Sequence, residues 1–492
     1  MSFAPQILDD AHVARLRECL AGFTVEAVHS VLGDDAWYAL ARNETVPARR
    51  ATGDGSRLST LIRLFQLQLP VPASAVRTAL GELEEPLVAA GFLVRAGDDV
   101  RAAVDIRPYG DEDHDWWVVA DLTPGLDGRV DAMDPSYVLG ISEASSSLAQ
   151  LTVRPDAHRA LDLGTGCGVQ ALHLSTHSRR VVATDVNARA LQMAWFTGRL
   201  NGVDLDVRNG SLYEPVAGEQ FDLITTNPPF VVSPPDGARL VYRETSFPAD
   251  DVVRRVVAGA ADHLVPGGWC QILAAWVHRE GEPWQDRLAS WIEPTGLDAW
   301  VVQREAADLP AYTEMWLADA GLRGARDYAQ RYDRWLSWFA DQQIEAMGFG
   351  WITLRKAERT VPVLRIEEWT GEVGQPMGDA VLDWGRRVDV LAETDDVLER
   401  RWRLAADTRQ VTYGPVGASD PATITVRLDR GPRRTVQVDT IEAGLLGTSD
   451  GELTAGQILD ALATLLGHDR EHLRTTYAPV VRQFVTDGLL VP

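Results

Sequence analysis

The run Ala160-Leu161-Asp162-Leu163-Gly164-Thr165-Gly166-Cys167-Gly168 constrains the fold most. An apolar strand passes directly into Gly-x-Gly-x-Gly, and a helix-compatible segment follows. Glycines at such a turn permit positive φ. They also let a ligand approach the backbone N–H groups at a helix N-terminus. A tight strand-to-helix turn without a ligand would need the same residues. The dinucleotide pattern Gly-x-Gly-x-x-Gly is not met, because residue 169 is Val, which leaves nucleoside cofactors generally.

Around this junction, strands and helices alternate from about Tyr137 to about Lys356. That rhythm predicts an α/β domain with a mostly parallel sheet. The expected strands are Ala160–Leu163, Val181–Thr184, Asp204–Asn209, Phe221–Thr226, Trp269–Ala275, Trp300–Arg304 and Gly350–Arg355. Pro266-Gly267-Gly268 is a turn feeding the fifth. Three regions follow from the pattern: an N-terminal helical, winged-helix-like module at 1–125, the α/β domain at 126–359, and a C-terminal α+β module at 360–492. In the first, Val76, Leu80, Leu83, Leu87 and Val88 form a helical stripe within Ser74–Ala90, with Pro86 expected to kink the last turn. Short strands at Phe92–Val94 and Val100–Ile106 flank a Gly97-Asp98-Asp99 turn. Trp116-Trp117 is placed to pack this module onto the sheet. Residues 121–135, rich in Asp, Gly and Pro, read as a linker. Residues 360–440 lack the strand–helix rhythm, although Thr423–Leu428 and Thr435–Val438 look like antiparallel strands. Residues 441–492 return to helix at Ala455–Leu466 and Glu471–Thr486. Gly488-Leu489-Leu490-Val491 echoes Gly91-Phe92-Leu93-Val94 and suggests a second winged-helix-like module.

Composition narrows the function classes. The net charge of −24 disfavours non-specific binding to phosphate backbones. The three cysteines, Cys19, Cys167 and Cys270, have neither metal-ligand spacing nor a disulfide framework. His173 and His177 lie four apart on an expected helix without accompanying acids, so no metal is expected. No apolar run is long enough to span a bilayer, and Met1 to Asp10 has no basic signal-type start. The expected address is therefore the cytoplasm, with no membrane partner.

The second strand, Val181-Val182-Ala183-Thr184, ends in Asp185, one βαβ step past the glycines. A carboxylate there can accept hydrogen bonds from both hydroxyls of a ribose. It can also cap the helix that begins near Val186. With these residues in place, Asp162-Leu163-Gly164-Thr165-Gly166-Cys167-Gly168 resembles motif I of class I S-adenosylmethionine (SAM)-dependent methyltransferases, and Asp185 resembles the ribose acid of motif II. The resemblance covers about residues 135–356 and implies a Rossmann-like, seven-stranded sheet. It implies SAM as cofactor, with Gly164, Thr165, Gly166 and Gly168 beneath its methionine part and Asp162 near its amino group. It further implies that Val186 and Ser211-Leu212 flank the adenine. Many relatives carry Asp where this chain has Ser211, whose hydroxyl can still bond the adenine amino group.

A third signal is Asn227-Pro228-Pro229-Phe230, directly after the apolar run Phe221-Asp222-Leu223-Ile224-Thr225-Thr226. It resembles motif IV of amino-methyltransferases, and the resemblance implies that Asn227 also borders the cofactor. Transfer to an amide or aromatic amine needs two acceptors that hold a nitrogen whose lone pair is delocalised. The Asn227 side-chain oxygen and the Pro228 carbonyl supply them, and both stabilise the positive charge that grows during attack. The two prolines stiffen the loop, and Phe230 can stack on a planar substrate group. An Asn-Pro turn closing a strand is the plainer reading of the same residues. Tyr242-Arg243-Glu244 follows as a polar patch that either touches substrate or is solvated.

Asn-Pro-Pro-aromatic occurs in HemK-type release-factor glutamine methyltransferases and in the small-domain superfamily that methylates adenine N6 or guanine N2. The HemK type usually has Tyr at the position of Phe230, and the guanine enzymes often have His at that of Val231. Charge favours a macromolecular protein substrate, methylated on glutamine, over nucleic acid. An RNA or DNA N-methyltransferase is the alternative, and a catalytically silent SAM-binding scaffold is a second.

Overall fold

A computed structural model describes residues 8–128, 134–235, 241–243, 247–417 and 421–492. The chain divides into two compact units, one of residues 1–149 and 155–367, the other of 150–154 and 368–492.

The first unit is built on an eight-stranded sheet. Its strands are β1 (Ala157–Leu163), β2 (Ser178–Asp185), β3 (Leu205–Asn209), β4 (Phe221–Thr226), β5 (Leu264–Arg279), β6 (Asp298–Asp308), β7 (Ile344–Arg355) and β8 (Leu364–Glu368). Their spatial order is β8-β6-β7-β5-β4-β1-β2-β3. Strands β3, β2, β1, β4 and β5 are parallel neighbours, and β7 runs antiparallel between β5 and β6. This is the expected α/β, Rossmann-like architecture, and each of the seven expected strands is present. The eighth, β8, lies past Arg359 and joins the sheet beside β6. The Asp298 carboxylate accepts the Val363 N–H at 2.8 Å, which ties the approach to β8 onto the start of β6. Helices α1 (Val169–Ser175), α2 (Ala188–Leu200), α3 (Asp251–His263) and α4 (Trp284–Ile292) connect the strands. The crossovers bury Val253, Val256 and Val257 of α3 against Leu161, Ile224 and Ile272 of the sheet. A helical hairpin, α5 (Leu309–Asp319) and α6 (Tyr328–Asp341), is inserted between β6 and β7.

Register sets the functional edge. Leu163 of β1 stands opposite Thr184 of β2 and Thr226 of β4, so three strands end at one level. The Thr226 hydroxyl donates to the Leu163 carbonyl at 2.6 Å and locks two of those ends together. The residues that follow, Gly164, Asp185 and Asn227, therefore emerge side by side.

The N-terminal residues pack onto this sheet through α2. Helices at Asp10–Leu20, Val25–Leu40, Val46–Ala51, Arg57–Leu61, Ala73–Leu80 and Glu84–Ala89 accompany a small sheet of Val71–Pro72, Asp99–Ala102 and Leu93–Ala96. The helix expected over Ser74–Ala90 breaks at Gly81, where φ is 63° and ψ −137°, not at Pro86. Pro86 falls in the first turn of the second piece, where its missing N–H costs nothing. The strand expected over Val100–Ile106 splits, and its second part, Asp105–Gly110, pairs with Asp115–Ala120. That hairpin docks on α2, as Trp116-Trp117 suggested. Asn201 accepts the Trp117 N–H at 2.9 Å, and the Trp117 indole donates to the Phe23 carbonyl at 2.8 Å. Leu16, Leu20, Val76, Leu80 and Leu87 share one core with Leu172, Met193, Phe196 and Leu200.

The described part of the 121–135 stretch is anchored. Arg189 Nε reaches both oxygens of Asp121 at 3.1 and 2.9 Å, and Asp127 accepts from the N–H and hydroxyl of Thr45 at 2.7 and 2.6 Å. Residues 129–133 lie outside the described residues.

The second unit has a core of Trp402, Leu445, Leu459, Val485 and Leu490. Thr423–Leu428 and Thr435–Val438 pair antiparallel as expected. The helix Ala455–Leu466 is followed by Arg470–Asp487, and Leu490–Val491 pairs with Arg401–Leu404.

Candidate active site

One cavity of about 530 Å³ opens at the carboxyl ends of β1, β2 and β4. That size suits a nucleoside-sized ligand. Asp162, Gly164, Thr165, Gly166, Asp185, Val186, Ser211, Leu212, Asn227, Pro228 and Pro229 all line it. The glycine turn and the Asn-Pro-Pro corner thus face the same space, as the common strand level requires.

Gly164 and Gly166 have φ of 80° and 55°, and a Cβ added at either would meet nothing within 4 Å. The Gly164 and Thr165 N–H groups both donate to the Thr184 carbonyl at 2.9 Å, which bends the turn over the end of β2. Gly168 differs and does not line the cavity. Its φ is 89°, and a Cβ there would stand 3.1 Å from Cα of Ala194 on α2. The third glycine therefore permits close packing between the turn and α2. Gly168→Ala is expected to cost about 1–3 kcal/mol of stability, read as a lower urea midpoint. An unchanged midpoint would show that α2 can yield.

The two carboxylates are held in place by the turn. One Asp162 oxygen accepts from the Thr165 hydroxyl at 2.6 Å and the Ala171 N–H at 3.0 Å. Burial pushes the Asp162 carboxyl up to about 7 and outweighs the lowering by those bonds, and the Asp185 charge adds to the rise. Asp185 accepts from the Gly166 N–H at 3.0 Å and the Asn187 N–H at 2.8 Å. Burial raises its carboxyl too, against the lowering by Asn187 and Gly166. Asp185 does not cap the following helix. Asn187 does so, accepting the Arg189 N–H at 3.0 Å, because α2 begins at Ala188.

Val186 is 55 % exposed where it lines the cavity, an unusual position for a lone valine side chain. Leu212 adopts φ 47°, a left-handed conformation costly for a branched residue. That strained turn carries Ser211 and Leu212 to the cavity, as Val186 is carried from the end of β2.

On the other side, Asn227 Oδ1 is buried and has no hydrogen-bond partner among the described residues. A buried acceptor left unpaired costs about 1–3 kcal/mol. Asn227 is a residue of the cavity wall, so its unsatisfied acceptor calls for a partner. Phe230 does not line the cavity. Its ring stands edge-on to Trp316 of α5 at 6.3 Å and to Phe349 of β7 at 6.5 Å. In the polar patch, Arg243 is buried and donates to Asp319 at 2.6 Å, and the Tyr242 hydroxyl donates to the same carboxylate at 3.2 Å. Glu244 lies outside the described residues.

Sequence reasoning missed the wall formed by Tyr137, Val138, Leu139, Gly140, Ser142 and Ser145, together with Gln170 from α1. Gln170 donates to the Ser145 carbonyl at 2.6 Å and fastens that wall. The apolar Tyr137-Val138-Leu139 run, ahead of the helix Glu143–Leu151, was its visible trace. No Arg, Lys or His lines the cavity among the described residues, and its two charged groups are Asp162 and Asp185. His173 sits away from the cavity, 2.7 Å from the Tyr109 hydroxyl, and His177 lies 3.2 Å from the Pro155 carbonyl. Among the described residues no group of three His, Cys, Asp or Glu could hold a metal, and no helix is long and apolar enough to cross a membrane.

Residues 140–282 match the methyltransferase small domain family, and residues 20–103 match a domain of unknown function. The chain is 36% identical over 132 residues to the release factor glutamine methyltransferase of Xylella fastidiosa, covering 24% of this chain and 47% of that protein. It is 32% identical over 172 residues to the ribosomal RNA small subunit methyltransferase C of Salmonella arizonae, covering 34% and 44%. The chain thus spans about half the length of the curated relatives it matches. Among solved structures it aligns with a T. thermophilus 16S rRNA methyltransferase in complex with AdoMet and guanosine. That alignment has a TM-score of 0.28 and 18% identity, and covers 52% of this chain and 68% of the other.

Proposed function

Because residues 140–282 carry the methyltransferase small domain, we propose that this chain is a SAM-dependent N-methyltransferase whose acceptor is the side-chain amide of a protein glutamine. The observation that carries the reading is that Asn227, whose buried side-chain oxygen has no hydrogen-bond partner among the described residues, lines the cavity that also holds the glycine turn and Asp185.

The donor set fits SAM. Gly164 and Gly166 leave open space where any other residue would carry a Cβ, and their turn presents backbone to the methionine part. Asp185 would accept the ribose hydroxyls, Asp162 would meet the ammonium group, and Val186 with Ser211 and Leu212 would enclose the adenine. When bound there, SAM supplies an electrophilic methyl group on a sulfonium.

The chain's own contribution is to hold the nucleophile. Asn227 Oδ1 accepts one N–H of the amide, and the Pro228 carbonyl accepts the other. Both acceptors are fixed before substrate arrives, so no reorganisation is needed as positive charge grows on nitrogen. Bond formation at nitrogen makes its N–H acidic, and the proton leaves to water. No strong base is required.

The net charge of −24 supports a protein acceptor over a phosphate-bearing one. Incubating the protein with methyl-labelled SAM and a bacterial lysate tests this. Label released by protease is expected, and label released only by nuclease would assign the acceptor to nucleic acid. Absence of transfer would indicate a binding scaffold.

A pH dependence follows from Asp162. Its carboxyl is raised to about 7 in the free protein, so below that pH it must lose a proton to meet an ammonium group. SAM affinity should therefore rise with pH through about 7 and then level off. The fold itself responds oppositely: a raised carboxyl contributes stability at low pH that is lost as pH rises through about 7. Calorimetry with SAM between about pH 5 and about pH 8 checks the first point. Asp162→Asn should flatten both trends; a profile unchanged by that substitution would remove Asp162 from the ammonium contact.

A further inference from the structure

The sheet does not stop at the level of Asn227. Ile272 of β5 stands opposite Thr226, and β5 then continues, paired with β7, to Arg279. The inserted hairpin sits on this projecting part, with Tyr312, Trp316, Trp335 and Phe339 packed on Val277, Met347 and Phe349. Its first helix, α5, grips the Asn-Pro-Pro-Phe loop. The Tyr312 hydroxyl, fully buried, accepts the Val232 N–H at 2.8 Å. Arg243, with its side chain 8 % exposed, donates to Asp319 at 2.6 Å and to the Trp316 carbonyl at 3.3 Å. The Arg243 carbonyl in turn accepts the Val231 N–H at 2.9 Å. Consecutive residues of the loop are thus fastened to one helix, Val232 directly and Val231 through Arg243.

We propose that Tyr312 and Arg243 are positioning residues that set where Asn227 presents its side-chain oxygen, so that α5 tunes the acceptor geometry of the transfer reaction. The proposal rests on the N-methyltransferase reading above. Its physical basis is stiffness. Pro228 and Pro229 remove backbone freedom between the grip and Asn227, so displacement at Val231-Val232 is passed along rather than absorbed. Reacting groups displaced by about 1 Å lose about 100-fold in rate. Neither residue lines the cavity, and both act through the loop.

Tyr312→Phe removes one hydroxyl and leaves the Val232 N–H, in a residue 1 % exposed, without that acceptor. Asp319→Ala removes the carboxylate that holds Arg243, at a position exposed enough to tolerate truncation. In both variants, deuterium uptake of the 227–235 segment should rise about tenfold. Calorimetric SAM affinity should stay within about twofold. Label transfer from SAM to lysate protein should fall about 10- to 100-fold in maximal rate, with the half-saturating lysate concentration unchanged. Wild-type exchange or wild-type maximal rate in both variants would overturn the proposal, as would a parallel loss of SAM affinity. If the wild-type protein transfers no label, the reaction reading fails. The exchange measurement then decides the grip by itself: faster uptake in the variants supports it, and unchanged uptake refutes it.

Discussion

Asn227→Ala is expected to lower methyl transfer by about 100- to 1,000-fold while leaving SAM affinity within about twofold. The substitution removes the acceptor that would hold the nucleophilic nitrogen, and it removes nothing that touches the ribose or methionine parts of the cofactor. Stability should barely change, because Asn227 Oδ1 gives up no hydrogen bond among the described residues. The expected signature is therefore a dead enzyme with a normal urea midpoint and a normal calorimetric titration with SAM. Retained turnover would refute the acceptor role, and a fall in SAM affinity equal to the fall in turnover would move Asn227 from the acceptor to the cofactor.

Asp185→Ala should produce the opposite split. A carboxylate that accepts two ribose hydroxyls contributes charge-assisted bonds of about 1.5–3 kcal/mol each, so its loss should weaken SAM binding by about 100-fold or more. Part of that loss comes from the turn itself. The Gly166 and Asn187 N–H groups both donate to Asp185, and alanine leaves them without that acceptor. Asp185→Asn separates the two contributions. It keeps an oxygen for the turn and loses the charge, so it should lose about tenfold. Equal affinities for wild type and Asp185→Ala by calorimetry would take Asp185 out of the cofactor site.

The placement of these residues was legible because it depends on local chain chemistry. Leu161, Val182 and Ile224 lie in mostly apolar runs, close to the form that fully buried parallel strands take, and each run leads into a polar or glycine residue at its carboxyl end. Gly164, Asp185 and Asn227 are those residues, so one edge of the sheet could be read in advance. The details that differed depend on neighbours remote in sequence. Gly168 is glycine because Ala194 stands beside it, and nothing near residue 168 announces that contact. Phe230 turns to Trp316 and Phe349, which come from α5 and β7. Strand β8 was hidden because it is a five-residue edge strand in which only Leu364 and Ile366 are apolar. Charged residues between them are what an exposed edge requires, and they erase the buried-strand pattern. The cavity wall at residues 137–145 carries no motif, since its role is to enclose rather than to react.

Hydrolysis of the labelled product tests the central claim most directly. A methyl group on a glutamine side-chain nitrogen leaves as methylamine when the amide is hydrolysed, because the carbon–nitrogen bond to the acyl group breaks and the methyl–nitrogen bond survives. Methyl-labelled SAM, this protein and its lysate acceptor should therefore yield volatile labelled methylamine, and none with Asn227→Ala. Label recovered as methanol would identify a carboxylate ester, and label retained on a nucleobase would identify nucleic acid. Either result would contradict an amide nitrogen held at the Asn227 corner.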